Sequence, residues 1–305
     1  MTVASEQIRN GYSRRAFLII NPVSGKRAVI RYIPDIVRAL MDQGYLVTTA
    51  VTSRRGEGRE LAAAYGADYD LVCCTGGDGT LNEVMSGLAS AAIDVPIGYI
   101  PCGSTNDFAV SRSLSTDIPT AAKRMAGGTC KRYDVGRFGD SYFSYVAAFG
   151  AFSWLSYTTD QNLKNMLGHT AYILDAFKDL NKIKPIHLHL LANGVAYDDD
   201  YIFGAVCNST SVAGTITLPG SVVDTCDGSF EVLLIKMPKD IVDLEEIVRG
   251  LLGQDYSSPL IDFFQTKELD IDTPPDLEWA LDGECFVSSD RIHVSVLPGF
   301  MNLKS

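Results

Sequence analysis

Residues 72–83 carry an apolar run, Val72-Cys73-Cys74, then Thr75-Gly76-Gly77-Asp78-Gly79-Thr80, then Leu81-Asn82-Glu83. Glycine at three of the four positions 76–79 lets backbone N–H groups approach a ligand closely and reach positive φ, so a polyphosphate can rest against those amides and a helix start. Asp78 stands in the middle of that cradle. A carboxylate beside phosphates repels them unless it holds a metal ion, accepts a proton or binds a sugar hydroxyl. The same residues also suit a plain strand-to-helix turn, and both readings stay open on this segment alone.

The elements that must position this turn are legible around it. The apolar run reads as a strand, and Leu81, Val84, Met85 and Leu88 fall on one face of a following helix at a 3.6-residue period. Upstream, Ala16–Ile20 reads as a buried strand ending in Asn21-Pro22-Val23-Ser24-Gly25-Lys26, with a helix over 29–43. That loop lacks P-loop spacing. Leu46–Thr52 is the next strand and 56–65 the next helix. Val95–Ile100 then leads into Pro101-Cys102-Gly103-Ser104-Thr105-Asn106-Asp107-Phe108. Strands alternate with helices through about residue 130, which predicts βαβ units and a parallel sheet. Ligands of such sheets bind outside the carboxyl ends of the strands, so the loops at 21–26, 76–80 and 103–107 should gather at one edge. After Tyr133-Asp134-Val135-Gly136, short segments separated by Gly, Asp and Asn predict a mainly antiparallel sheet or sandwich, with helices at 170–182 and 239–253. The boundary falls near residue 133.

A chain of 305 residues is long enough for two domains, and 46% hydrophobic residues are enough to fill their cores. The formal charge of -11 argues against a general nucleic-acid binder, which needs basic surface to neutralise phosphates. Seven cysteines without a C-x-x-C pair read as reduced core residues of a cytoplasmic protein. The polar stretch before Ala16 does not resemble a signal peptide, and no apolar run reaches 18 residues. The four histidines lack partners at metal-ligand spacing and read as structural or solvated. Asp107 and Asp134 are either turn and cap residues or part of a site. The aromatics from Tyr142 to Trp154 read as core rather than as an acyl-chain pocket. Lys123, Arg124, Lys131 and Arg132 form a small basic cluster, either a solvated helix end or a contact for anionic headgroups.

Asn21-Pro-Val-Ser-Gly25, Gly76-Gly-Asp-Gly-Thr80, Gly103-Ser-Thr-Asn-Asp107 and Asp282-Gly-Glu284 occur in that order. The chain thereby resembles the diacylglycerol kinase catalytic-domain family, in particular its bacterial soluble lipid kinases. Ala171-Tyr172, Asn208 and Asp227-Gly228 extend the likeness over nearly the whole chain. The resemblance implies an NAD kinase-like α/β ATP-binding domain, residues 1–133 with 291–305 returning to it. It implies a β-rich lipid-substrate domain, 134–290, with the active site in the cleft between them. ATP would lie against Asn21, Pro22, Val23, Ser24 and Gly25, against Thr52, against Gly76, Gly77, Asp78, Gly79, Thr80, Leu81, Asn82 and Glu83, and against Thr105. A structural Mg²⁺ would be held by Asp224, Asp227 and the backbone of Ser229, although the stretch before them is longer than the family's usual arrangement. The implied activity is ATP-dependent phosphorylation of a lipid hydroxyl. Diacylglycerol is the expected acceptor; a sphingoid base, phosphatidylglycerol or an NAD kinase-like small molecule is the alternative. The implied setting is peripheral, transient association with a membrane surface, with a homodimer as an open alternative. The family draws its proton acceptor from the Asp-Gly-Glu motif, here placed on Glu284. Asp282 and Glu284, two apart on an extended segment, would point the same way, one accepting the proton and the other orienting it. Asp78 is the third catalytic candidate.

Overall fold

The computed structural model describes residues 11–103, 106–150, 184–212, 216–220 and 222–305. The chain forms two compact units, Met1–Val135 with Gly299–Ser305, and Gly136–Pro298. The helix expected at 170–182 and the aromatics Phe152 and Trp154 lie outside the described residues.

In the first unit, β1 (Arg14–Ile20) leads through a 3-10 helix (Ser24–Tyr32) and α1 (Ile33–Asp42) to β2 (Tyr45–Val51). α2 (Glu57–Tyr65), β3 (Leu71–Gly76), α3 (Asp78–Ser90), β4 (Ile97–Pro101), α4 (Asp107–Ser111) and α5 (Ile118–Gly127) follow. The strand order is β2-β1-β3-β4, with every pair parallel. All six residues of β3 are buried, as are Ala16–Ile20 of β1, which is why both strands read as continuous apolar runs rather than alternating ones. Helices cover the sheet through Val29, Ile36, Leu40, Ala121, Ala122 and Met125. Each fully buried Leu, Ile or Met contributes roughly 1.5–3 kcal/mol relative to exposure. The helix expected over 29–43 is instead two pieces. Pro34 sits in the first turn of α1, where its missing N–H costs no hydrogen bond, and its ring disfavours a helix running straight through Ile33.

β5 (Cys130–Phe138) carries the chain into the second unit. There follow β6 (Ser141–Phe143), β7 (Val146–Gly150), β8 (Ile186–Ala192), β9 (Val195–Cys207), the short pair β10 (Ser211–Val212) and β11 (Ile216–Thr217), and β12 (Phe230–Lys236). Next come α6 (Ile241–Gly253), β13 (Ile261–Thr266), β14 (Glu268–Asp272), β15 (Glu278–Leu281), β16 (Glu284–Val287) and β17 (Arg291–Lys304). Pairing within this unit is antiparallel. The first half of β9 pairs with β8, and its second half lies between β7 and β12. The strands enclose one core of Phe138, Phe149, Tyr201, Phe230, Leu188 and Trp279, with Trp279 between the rings of Phe138 and Phe149.

The return of the chain is shorter than 291–305. Arg291–Ser295 pair with β14 in the second unit, while Leu303 and Lys304 add to the first unit's sheet alongside β4. All seven cysteines are free, but only Cys73, Cys74, Cys102 and Cys207 are buried; Cys130, Cys226 and Cys285 are exposed. Among the described residues no helix is long and apolar enough to cross a membrane.

Candidate phosphate cradle and carboxylate turn

The three loops after β1, β3 and β4 are brought together in the first unit. Asn21 Nδ2 donates to Thr80 Oγ1 at 3.0 Å, and the Asn21 amide donates to the Thr75 carbonyl. The loop after β4 packs against Gly77 so closely that a Cβ on Gly103 would lie 2.5 Å from the Gly77 Cα. Asn106, in left-handed backbone geometry, holds that loop by accepting from the Gly103 amide at 2.8 Å and donating to its carbonyl at 3.0 Å. Ser104 and Thr105 lie outside the described residues.

The turn differs from its expected form in two respects. α3 begins at Asp78 with Gly77 as its N-cap, so Asp78, Gly79 and Thr80 form the first helical turn and not a loop ahead of the helix. None of Gly76, Gly77 and Gly79 has positive φ. At Gly76 it is close approach that requires the small residue. A Cβ on Gly76 would collide with the Thr80 side chain. The Thr80 and Leu81 amides both donate to the Gly77 carbonyl, at 3.0 and 3.2 Å, and the dipole of a helix start favours an anion at this end.

Several residues expected at the nucleotide have other partners. Glu83 accepts from the Gly56 amide at 2.7 Å and the Gly58 amide at 3.1 Å, and so caps the start of α2. Leu81 is core. Asn82 accepts from Ser86 Oγ. The Thr52 amide and hydroxyl both donate to the Ile20 carbonyl, fixing the end of β2 to β1. Val23 is exposed, and its amide donates to Asn21 Oδ1. Asp78 Oδ1 accepts from the Phe108 amide at 3.2 Å, tying the two glycine loops together. Asp134 is buried and accepts from the Gly299 amide at 2.6 Å, anchoring the returning chain.

In the second unit, Asp282 and Glu284 do not lie on one extended segment. Leu281 pairs with Glu284, and Asp282-Gly283 form the two-residue turn between β15 and β16, with φ of +50° and +84°. That is the Asp-Gly preference of type I′ hairpins, a signal already present in the sequence. Asp282 is 4% exposed. Its Oδ2 accepts from the Ser144 amide at 2.6 Å and the Ser144 hydroxyl at 2.9 Å. Its Oδ1 accepts from the amides of Tyr145 at 3.0 Å and Val146 at 3.1 Å. Glu284, first in β16, is half-buried.

Asp224 and Asp227 are exposed in the turn before β12. Asp224 Oδ1 accepts from the Cys226 amide at 3.1 Å and Asp227 Oδ1 from the Ser229 amide at 2.9 Å, and the second oxygen of each has no hydrogen-bond partner among the described residues. Such an all-oxygen set fits a hard cation such as Mg²⁺. Among the described residues no group of three or more His, Cys, Asp or Glu side chains is arranged to hold a metal ion. Glu231 is a residue the sequence reading missed. It is wholly buried on β12; Gln265 Nε2 donates to its Oε1 at 3.0 Å, and its Oε2 has no partner among the described residues. Burial, with Asp227 and Asp224 adding to it, pushes its carboxyl up to about 7. Its one signal was a Glu at the head of an apolar strand, Phe230-Glu231-Val232-Leu233-Leu234-Ile235. His187 meets Asp198 and Asp200 across the β8–β9 pair, and His293 meets Asp270, all on solvated strand faces.

Comparison with known proteins adds relatives to this geometry. The profile of the diacylglycerol kinase catalytic domain matches residues 15–138. A diacylglycerol kinase of Staphylococcus saprophyticus is 30% identical over 295 residues, 95% of this chain and 93% of the relative. One from Staphylococcus aureus is 30% identical over 274 residues, 89% of this chain and 86% of the relative. A crystal structure of a diacylglycerol kinase from Bacillus anthracis superposes with a TM-score of 0.75 at 23% identity, covering 95% of this chain and 96% of that one, which is a likeness of fold.

Proposed function

Starting from the chain's membership of the diacylglycerol kinase catalytic-domain family, we propose that it is an ATP-dependent lipid kinase that phosphorylates diacylglycerol to phosphatidic acid. The observation that carries the reading is the junction of three strand-end loops, Asn21 to Thr80 and Gly77 to Gly103, at the amide-rich start of α3. The polyphosphate of ATP rests at that helix start. Phosphoryl transfer leaves little covalent work to the protein, so positioning and charge placement dominate. As the acceptor oxygen bonds to the γ-phosphorus, the bond from that phosphorus to the ADP oxygen breaks and the hydroxyl proton goes to Glu284. Asp282 positions the turn that presents Glu284. Asp78 orients the reacting groups from the first turn of α3. Asp224, Asp227 and the Ser229 carbonyl would hold a structural Mg²⁺ in the second unit. The enzyme works in the cytoplasm, in transient contact with the membrane surface that holds its lipid.

Transfer of label from γ-labelled ATP to a total lipid extract, followed by identification of the product, tests this reading. Labelled phosphatidic acid is expected, with loss of product in Glu284→Ala and Asp78→Asn. Label in a sphingoid base or phosphatidylglycerol would replace the acceptor. Label in NAD with none in lipid, or unchanged turnover in both variants, would overturn the assignment.

A further inference from the structure

Along β12, Phe230, Val232 and Leu234 belong to the core of the second unit, so alternation puts Glu231 on the opposite face with Leu233 and Ile235. There it lies between Cys207 of β9 and Gln265 of β13, its partners in register. It is nevertheless wholly buried. Gln265 shows what it faces. Its Nε2 donates both to Glu231 Oε1 and to the Val222 carbonyl, each at 3.0 Å. The carboxylate is thereby held against the segment that runs from Val222 through Asp224 and Asp227 to Ser229.

The charges gathered there do not balance. Glu231 Oε2 has no partner among the described residues, and the charges that bear on it are those of Asp227 and Asp224, both of its own sign. A desolvated carboxylate oxygen with no donor is costly, and two further carboxylates raise the cost. A cation in the turn removes it. Asp224 and Asp227 each keep one oxygen free of hydrogen bonds to the described residues, yet the three side chains do not converge on one point as direct ligands. Mg²⁺ suits such an arrangement, since it binds through one or two carboxylates and retains several waters. Those waters donate outward, and acceptors placed behind the ligands orient them.

We propose that Glu231 is the buried outer carboxylate of this cation site, its Oε2 accepting from a water that the cation retains. Gln265 is then a positioning residue, holding the carboxylate and the Val222 end of the loop together. The inference rests on the assignment of Mg²⁺ to Asp224, Asp227 and the Ser229 carbonyl, and it gives the desolvated Glu of β12 a reason. With the cation bound the buried charge is satisfied; without it, Glu231 weakens the fold.

Magnesium chloride titrated by calorimetry into the full chain without nucleotide, and thermal unfolding in Mg²⁺ and in a chelator, test this. Glu231→Gln keeps the length of the side chain and an oxygen for Gln265 while removing the charge. Saturable binding to wild type is expected, lost in Asp227→Asn and weakened about tenfold or more in Glu231→Gln. Unfolding should cross over. In chelator Glu231→Gln melts at or above wild type, because the charge opposed by two carboxylates is gone; in Mg²⁺ wild type melts higher, because it binds the cation more tightly. Gln265→Ala leaves β12 untouched and keeps the charge but not its hold, and should weaken binding by a smaller factor. Affinity unchanged in Glu231→Gln and Gln265→Ala, or lost in Glu231→Gln together with stability in chelator, overturns the inference and leaves the Mg²⁺ assignment standing. No binding to wild type, or binding untouched by Asp227→Asn, overturns both. Lipid kinase activity is measured separately and stands or falls on its own.

Discussion

The turn at Gly77–Thr80 and the turn at Leu281–Glu284 both contain an Asp-Gly pair, yet the surrounding backbone uses the carboxylate in opposite ways. At the first, Asp78 and Gly79 are the opening residues of a helix, and the Asp78 carboxylate takes the amide of Phe108 from the neighbouring loop. The helix start favours an anion through its dipole. At the second, Asp282 and Gly283 adopt left-handed geometry in a hairpin, and three consecutive amides and one hydroxyl converge on the Asp282 carboxylate. One turn opens a helix, and the other gathers its neighbours' donors on its own side chain. Asp282 is therefore the brace of its turn, and Glu284, two residues on, is the proton acceptor proposed above.

Four substitutions test that contrast. Glu284→Gln should lower turnover by about 10²–10⁴-fold, the usual reach of a general base, with unfolding by urea unchanged. If turnover stays within a few-fold, the base lies elsewhere. Asp282→Asn should act first on stability. An amide nitrogen facing buried N–H groups leaves two of them unpaired, a loss on the order of 3 kcal/mol by denaturant titration. A stable Asp282→Asn with lost activity would make Asp282 a participant and not a brace. Asp78→Asn retains an oxygen for the Phe108 amide, so stability should move by less than about 1 kcal/mol while turnover falls tenfold or more. The smallest effect is expected at Asp117, a plain helix cap. Thr120, through its hydroxyl and its amide, holds the Asp117 carboxyl below the usual range. A lowered value means stability present above the ordinary carboxylate pKa and lost as pH falls through the folded one. Asp117→Ala should therefore melt slightly lower near neutrality and match wild type in acid.

Much of the fold was legible because its determinants are local. Ala16–Ile20 and Leu71–Cys74 are apolar on both faces, and strands buried on both faces show that directly. The positions of the three loops followed from a topological rule rather than from any one motif. What was misread had a specific cause each time. The glycines of the Gly-Gly-Asp-Gly turn were assigned a conformational role, whereas Gly76 and Gly103 are needed for space, and space depends on neighbours such as Thr80 and Gly77. Asp282 and Glu284 were placed on one extended segment although Asp-Gly is itself a hairpin signal. Glu83, expected beside the nucleotide, also caps α2 across the unit, a partner that spacing along the chain does not show.

The sequence by itself determined the parallel first unit, the antiparallel second unit, the edge at which the glycine loops meet and the family to which the chain belongs. Periodicity, turn chemistry and motif order are properties of short stretches, and they survive without coordinates. Only the tertiary structure decided which carboxylate answers to which donor. Asp282 is satisfied by residues about 137 positions earlier in the chain, and Gln265 reaches Glu231 only because β12 and β13 pair. Hydrogen bonds and desolvation act across a few ångströms of space, and no spacing along the chain encodes that distance.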